Sequence, residues 1–179
     1  MGLIQRVTDA EIPVCLVFNR MGHRRLINRV FAVVSRLGDG VFWYTLMLCL
    51  PLIHGMQALH VSLHMALVGL LCLPIYKILK ATTGRDRPFR HSRDISLNVA
   101  PLDRFSFPSG HTLHAVAFTV VLLAWLPVWA WLVLPFTLMV ALSRLVLGLH
   151  YPTDVLAGAA IGAAVALGSL WWMGGVVPL

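Results

Sequence analysis

The sequence predicts an all-α fold: a polytopic membrane helix bundle of about five transmembrane helices, with an N-terminal amphipathic interfacial helix ahead of them. Three observations predict it. Hydrophobic residues make up 59% of the 179 and charged residues 12%, where a soluble domain carries about a quarter charged. Apolar stretches of near-spanning length recur between short polar breaks. The 14 Lys and Arg all fall in segments that alternating crossings place on one side of a membrane. A soluble domain is excluded, and the mean hydropathy of +0.82 says the same. The formal charge of +7 would suggest nucleic acid in a soluble protein. Here the cations stand between apolar spans, so the expected partners are lipid phosphates and membrane lipids, and no nucleic acid is expected.

Residues 1 to 12 are polar and are expected outside the bilayer, within an interfacial N-terminal segment, 1–39. No apolar core precedes a small-residue cleavage site, so no cleaved signal peptide is expected. Met1-Gly2 is followed by Arg6 where myristoylation wants Ser or Thr. Between His23 and Leu37, the residues Leu26, Ile27, Val30, Phe31, Val34 and Leu37 recur at helical spacing, with Arg25, Arg29 and Arg36 set apart from them. That pattern describes an amphipathic helix too charged to span, lying along the headgroups until Gly38-Asp39-Gly40 breaks it.

A helix rising about 1.5 Å per residue needs about 20 residues to cross the hydrocarbon. Stretches near 40–56, 61–79, 110–126, 128–148 and 154–173 meet or approach that length. The first is interrupted by Pro51. The fifth carries Gly158 and Gly162 at GxxxG spacing, a small-residue face for close packing of another helix, within the chain or in a homodimer. Five crossings put residues 1–39, the loop 81–109 and the turn around His150 on one side, with every Lys and Arg. Trp125, Trp129, Trp131, Trp171 and Trp172 form an aromatic belt on the other. The positive-inside rule then assigns the basic side to the cytoplasm of a bacterial inner (plasma) membrane. Cys15, Cys49 and Cys72 sit in apolar surroundings without CxxC spacing, as packed free thiols do.

Three clusters on the basic side carry chemistry. Lys80 and Arg87-Pro88 close the second span; Lys80 is a flexible point charge, and the Arg87 fork can grip two phosphate oxygens. Alone, each could be a membrane-edge cation snorkelling into headgroups. Pro108-Ser109-Gly110-His111 opens the third span, where unpaired backbone N–H groups and the helix dipole attract an anion. There Ser109 can cap or donate, Gly110 admits close approach, and His111 can move a proton near neutral pH. His114 lies one turn on and could pair with His111 on a metal, but an interior packing role fits it better. Ser143-Arg144 ends the fourth span, where a buried Arg needs a partner or an anion. His150 and Asp154, four apart across the last turn, let a carboxylate hold one imidazole nitrogen as N–H and leave the other a lone pair.

Lys80-x6-Arg87-Pro88, Pro108-Ser109-Gly110-His111 and Ser143-Arg144-x5-His150-x3-Asp154 together resemble the complete three-part signature of the type 2 phosphatidic acid phosphatase (PAP2) superfamily. The resemblance implies a single membrane domain over 1–179 with its catalytic motifs in 80–154. It implies metal-independent hydrolysis of a lipid phosphate or diphosphate through a phosphohistidine intermediate, with no cofactor. Under it, the catalytic residues are His150 as nucleophile, Asp154 orienting it, and His111 as general acid. Lys80, Arg87, Ser109, Gly110 and Arg144 would hold the phosphate oxygens. The family places several members' sites on the outer side of the membrane, opposite to the arginine distribution here. Two other readings share the motifs: a phosphotransferase using a lipid diphosphate donor, and a non-enzymatic lipid-phosphate binding or transport protein.

Overall fold

The computed structural model describes residues 3–174. Met1 and Gly2 of the expected polar N-terminal segment, and 175–179 at the end of the expected domain, lie outside the described residues. Within them the chain is all-helical: α1 (Leu3–Met21), α2 (Arg25–Arg36), α3 (Phe42–His54), α4 (Leu59–Thr83), a short α5 (Pro88–His91), α6 (Gly110–Trp125), α7 (Ala130–Val146) and α8 (Pro152–Trp172). The five apolar stretches correspond to α3, α4, α6, α7 and α8. By length and apolar content α4, α7, α8 and the continuous stretch Arg25–His54 can cross a membrane, and α6 is a shorter apolar helix.

Two features at the N-terminus differ from the sequence expectation. The polar stretch within 1–12 forms the first part of α1, and that helix runs across the basic end of the bundle. Thr8 and Glu11 bond Arg85 and Thr153, while Asn19 bonds the carbonyls of Ser96 and Val146. Its inward stripe is mostly polar (Thr8, Glu11, Asn19, with Cys15), while Val14 and Val17 are exposed. Apolar periodicity cannot find a helix whose buried face is the polar one. The amphipathic helix exists as α2, but Gly38-Asp39-Gly40 bends it and does not end it. One wide turn, Leu37–Val41, carries the chain into α3 with Gly40 at φ 134°. α2 packs on α7, burying Phe31 among Val146, Leu147 and Leu149, so it belongs to the bundle as well as to its surface.

The core between α3, α4, α6 and α7 is built on Trp43, Leu50, Met65, Leu113, Val121 and Val133, all buried. Among the polar groups inside it, Thr119 pairs with Thr137 at 2.6 Å and Ser62 donates to the Met47 carbonyl at 2.6 Å, while Trp43 Nε1 has no partner among the described residues. At the end away from the basic loops, Trp125 Nε1 donates to His64 Nδ1 and Trp129 Nε1 to His54 Nε2, each at 3.0 Å. Large apolar side chains such as Leu48, Leu63, Leu70, Leu138 and Leu156 are exposed, as on a lipid-facing surface.

The GxxxG face is used inside the chain. Gly158 and Gly162 are buried against α6. A Cβ at Gly158 would stand 2.5 Å from the Ser109 carbonyl oxygen, and one at Gly162 would collide with the Leu113 carbonyl. This close approach sets the N-terminus of α6 against the N-terminus of α8, where Ser109 N donates to the Asp154 carbonyl at 2.9 Å. Gly162→Ala should therefore lower the melting temperature in detergent, at a cost of about 1–3 kcal/mol from overpacking. Gly168→Ala, with nothing within 4 Å of its Cβ, should leave the melting temperature in place. Equal melting of the two variants would contradict this packing.

Candidate active site

The three motif clusters converge at the basic end of the bundle because α4 ends there, α6 and α8 begin there, and α7 ends there. Between them lies a cavity of about 940 Å³ whose lining includes Asp39, Lys80, Arg87, His111, Arg144 and His150. Sequence separations of up to 111 residues are closed by packing alone.

His150 is buried, 3% exposed, in the turn between α7 and α8. Its Nε2 stands 3.3 Å from Arg87 Nη1. A guanidinium can only donate, so Nε2 carries the lone pair and Nδ1 the proton. Nδ1 faces Asp154 Oδ2 at 3.5 Å, an ion-pair distance too long for a good hydrogen bond, and it has no other partner among the described residues. Burial first, then the charges of Arg87, Lys80 and Arg144, pushes the imidazole well below its ordinary range. At neutral pH His150 is thus uncharged, with its lone pair beside the cations.

The Asp154 carboxylate is held from two sides. Oδ2 accepts the Tyr151 N–H at 2.9 Å, closing the first turn of α8, and Oδ1 accepts Arg85 Nη1 at 2.7 Å. Arg85 also donates to Glu11 Oε2 at 2.7 Å and to Thr153 Oγ1 at 2.8 Å, and its guanidinium lies 4.0 Å above the Tyr151 ring. Glu11 in turn accepts the Thr153 N–H at 2.7 Å. An otherwise costly buried carboxylate is thereby paired, and α1 is tied to the residue that faces His150. Cys15 packs at the same junction. Burial, with Glu11 nearby, pushes its thiol up to about 12, so it stays protonated and inert.

Lys80 and Arg87 share one carboxylate that the sequence reading did not single out. Asp103 Oδ1 accepts Lys80 Nζ at 2.8 Å and Arg87 Nη2 at 2.7 Å. Burial alone would raise this carboxyl, but the bonds and charges of Lys80 and Arg87 hold it below the usual range. Arg144 differs from both. It is 2% exposed, its Nε donates to Ser143 Oγ at 3.0 Å, and its Nη2 has no partner among the described residues. A buried guanidinium with an idle donor at a cavity wall is suited to an anion.

Ser109 caps α6: its Oγ lies 3.0 Å from Thr112 Oγ1 and accepts the Thr112 N–H at 3.5 Å, and the residue is fully buried. Its hydroxyl is engaged within its own helix, so any phosphate contact expected of it would have to displace that cap. Gly110 lines the cavity against the Tyr76 ring. His111 Nε2 pairs with the Asp39 carboxylate, while His114 Nδ1 bonds the Gly110 carbonyl at 2.9 Å. The two histidines are thus turned to different partners. The residues missed from sequence are Asp39, Asp103, Arg85 and Glu11. The available signal was scarcity: a chain with 7 acidic residues that sets them beside apolar spans has a use for each.

Apolar helices that gather two histidines and several cations around one end cavity define an integral membrane protein with a basic, imidazole-bearing pocket at its interface. The model of the PAP2 superfamily matches residues 57–177, and the chain belongs to that superfamily. It is similar to a decaprenylphosphoryl-5-phosphoribose phosphatase of Mycolicibacterium smegmatis, 45% identical over 83 residues, which are 45% of this chain and 43% of that protein. It is also similar to an undecaprenyl-diphosphatase of Sulfolobus acidocaldarius, 25% identical over 141 residues, 78% of this chain and 68% of that one. The match thus spans less than half of the Mycolicibacterium relative. Among solved structures, LpxE of Aquifex aeolicus superposes with a TM-score of 0.73 at 25% identity, covering 87% of this chain and 93% of that one. A phosphatidylglycerolphosphate phosphatase of Bacillus subtilis shares the fold, with a TM-score of 0.68 at 24% identity over 97% and 88% of the two chains.

Proposed function

We propose that this protein is a lipid phosphatase that removes a terminal phosphate from a lipid phosphate or diphosphate by way of a phosphohistidine. The observation that carries the reading is the neutral His150, its Nε2 lone pair beside Arg87, in one cavity with the idle donor of Arg144. His150 Nε2 attacks phosphorus as the bond to the leaving oxygen breaks, and Asp154 stabilises the imidazolium that forms. Lys80, Arg87 and Arg144 hold the equatorial oxygens, whose charge must be met in the transition state. The substrate phosphate takes the place of the Asp103 carboxylate between Lys80 and Arg87. Arg87 also anchors to the Leu149 carbonyl at 2.9 Å, which keeps its fork in place once Asp103 is displaced. Water then attacks the phosphohistidine.

The pocket opens at the end of the helices, so an acyl or prenyl tail can stay in lipid while the phosphate enters. The named activities of the relatives favour a polyprenyl-linked phosphate. The exposed Arg20, Arg24, Arg25 and Arg29 of α1, α2 and their connection lie on the same end, which supports a cytoplasmic-facing site in a bacterial inner membrane. The test is release of inorganic phosphate by purified protein in excess chelator, from phosphatidate, phosphatidylglycerol phosphate, undecaprenyl diphosphate and a lipid A phosphate. The expected result is release from at least one, undiminished by chelator. Activity lost to chelator and restored by a divalent cation would replace the metal-free reading. A newly phosphorylated lipid in place of free phosphate would establish the transferase instead.

A further inference from the structure

The bend between α2 and α3 places a carboxylate in the cavity that none of the three motifs contains. Gly38 and Gly40 are both buried. Gly38 packs against Val140, which a Cβ would meet at 3.0 Å. Gly40 has φ 134°, a backbone an L side chain rarely adopts, with Tyr44 within 2.5 Å of where a Cβ would stand. Glycine is thus favoured at 40 by its backbone and at 38 by close packing, and Asp39 between them meets His111. Its Oδ1 pairs with His111 Nε2, while among the described residues Oδ2 has only the exposed Arg36 at 3.5 Å. A carboxylate at the mouth of an apolar span is costly, and this one is partly buried, its side chain 20% exposed.

We infer that Asp39 is a positioning residue for the general acid, a carboxylate partner to His111 as Asp154 is to His150. With Nε2 held by Asp39, the nitrogen of His111 left to face a leaving oxygen is Nδ1, which has no hydrogen-bond partner among the described residues. Asp39 fixes the ring, and its negative charge stands against those of the cations Arg87 and Arg144 in the same cavity. In the first step the proton passes from His111 Nδ1 to the leaving oxygen as the P–O bond breaks and the Nε2–P bond to His150 forms. In the second step the neutral His111 takes a proton from the attacking water, and the N–P bond breaks. This inference rests on the phosphatase reading and adds to it a residue outside the family signature.

The experiment compares wild type, Asp39→Asn and Asp39→Ala on two phosphate monoesters in detergent. One is phosphatidate, whose alkoxide must be protonated to leave; the other is 4-nitrophenyl phosphate, whose phenolate leaves without a proton. The expected result is a fall in kcat of about 10–100-fold on phosphatidate, with the loss on 4-nitrophenyl phosphate at least about tenfold smaller and KM little changed. The surviving aryl activity is itself the check that both variants fold. Equal losses on the two substrates, or no loss on either, overturn the inference while leaving the phosphatase reading intact. A wild type that releases phosphate from neither monoester nor from any of the other three lipids named above overturns both.

Discussion

His150→Ala lowers phosphate release by about four orders of magnitude or more and leaves no trappable phosphohistidine. The size of the loss follows from the geometry. His150 Nε2 is the lone-pair nitrogen that the structure sets beside Arg87, and burial with the surrounding cations keeps that nitrogen unprotonated at neutral pH. Removing the ring leaves the cationic cradle able to bind a phosphate and unable to form the covalent bond, so substrate affinity should fall far less than turnover. The measurement is rapid quench with a phosphorus-labelled lipid phosphate, read in parallel with equilibrium binding. Retention of more than about a hundredth of wild-type turnover would assign the nucleophile elsewhere. Equal loss of binding and turnover would mean that the variant had lost the pocket.

Arg144→Met should separate activity from stability. Arg144 is almost fully buried, has one terminal nitrogen without a partner and makes no ion pair among the described residues. Such a guanidinium is held against its desolvation cost only when an anion arrives, so an apolar side chain of similar length should leave the folded protein as stable or more so. The same change removes a charge-assisted contact to the transferring phosphoryl group, with an expected fall in kcat/KM of about 10²–10³-fold. Melting in detergent with and without inorganic phosphate reads both effects. The variant should melt no lower than wild type and should lose the stabilisation by phosphate. A large drop in melting temperature would show that Arg144 is structural. An unchanged kcat/KM would remove it from the phosphate cradle.

The Arg85–Glu11 pair gives the first helix a function beyond covering the bundle. Asp154 faces His150 while buried, and its second oxygen would be left uncompensated without Arg85. Glu11 and Thr8 in turn occupy the remaining guanidinium donors. The carboxylate that faces His150 is therefore coupled to an element 143 residues earlier in the chain.

The sequence by itself determined the class of fold, the five apolar elements and the identity of the motif residues. Membrane crossing depends on length and local polarity, and the spacing of motif residues along helix ends is a local property too. It also determined that the cations share one end, since the parity of crossings does not depend on how helices pack. Only the tertiary structure decided which groups meet. The polar inward face of α1 has no periodic signature, because its partners Arg85 and Thr153 are supplied by distant segments. Gly158 and Gly162 announced a close helix contact, but its identity as α6 required the packed bundle. Gly38-Asp39-Gly40 read as a break, because a turn and a bend share the same glycines. Whether the carboxylate between them points to solvent or to His111 depends on a neighbour 72 residues away.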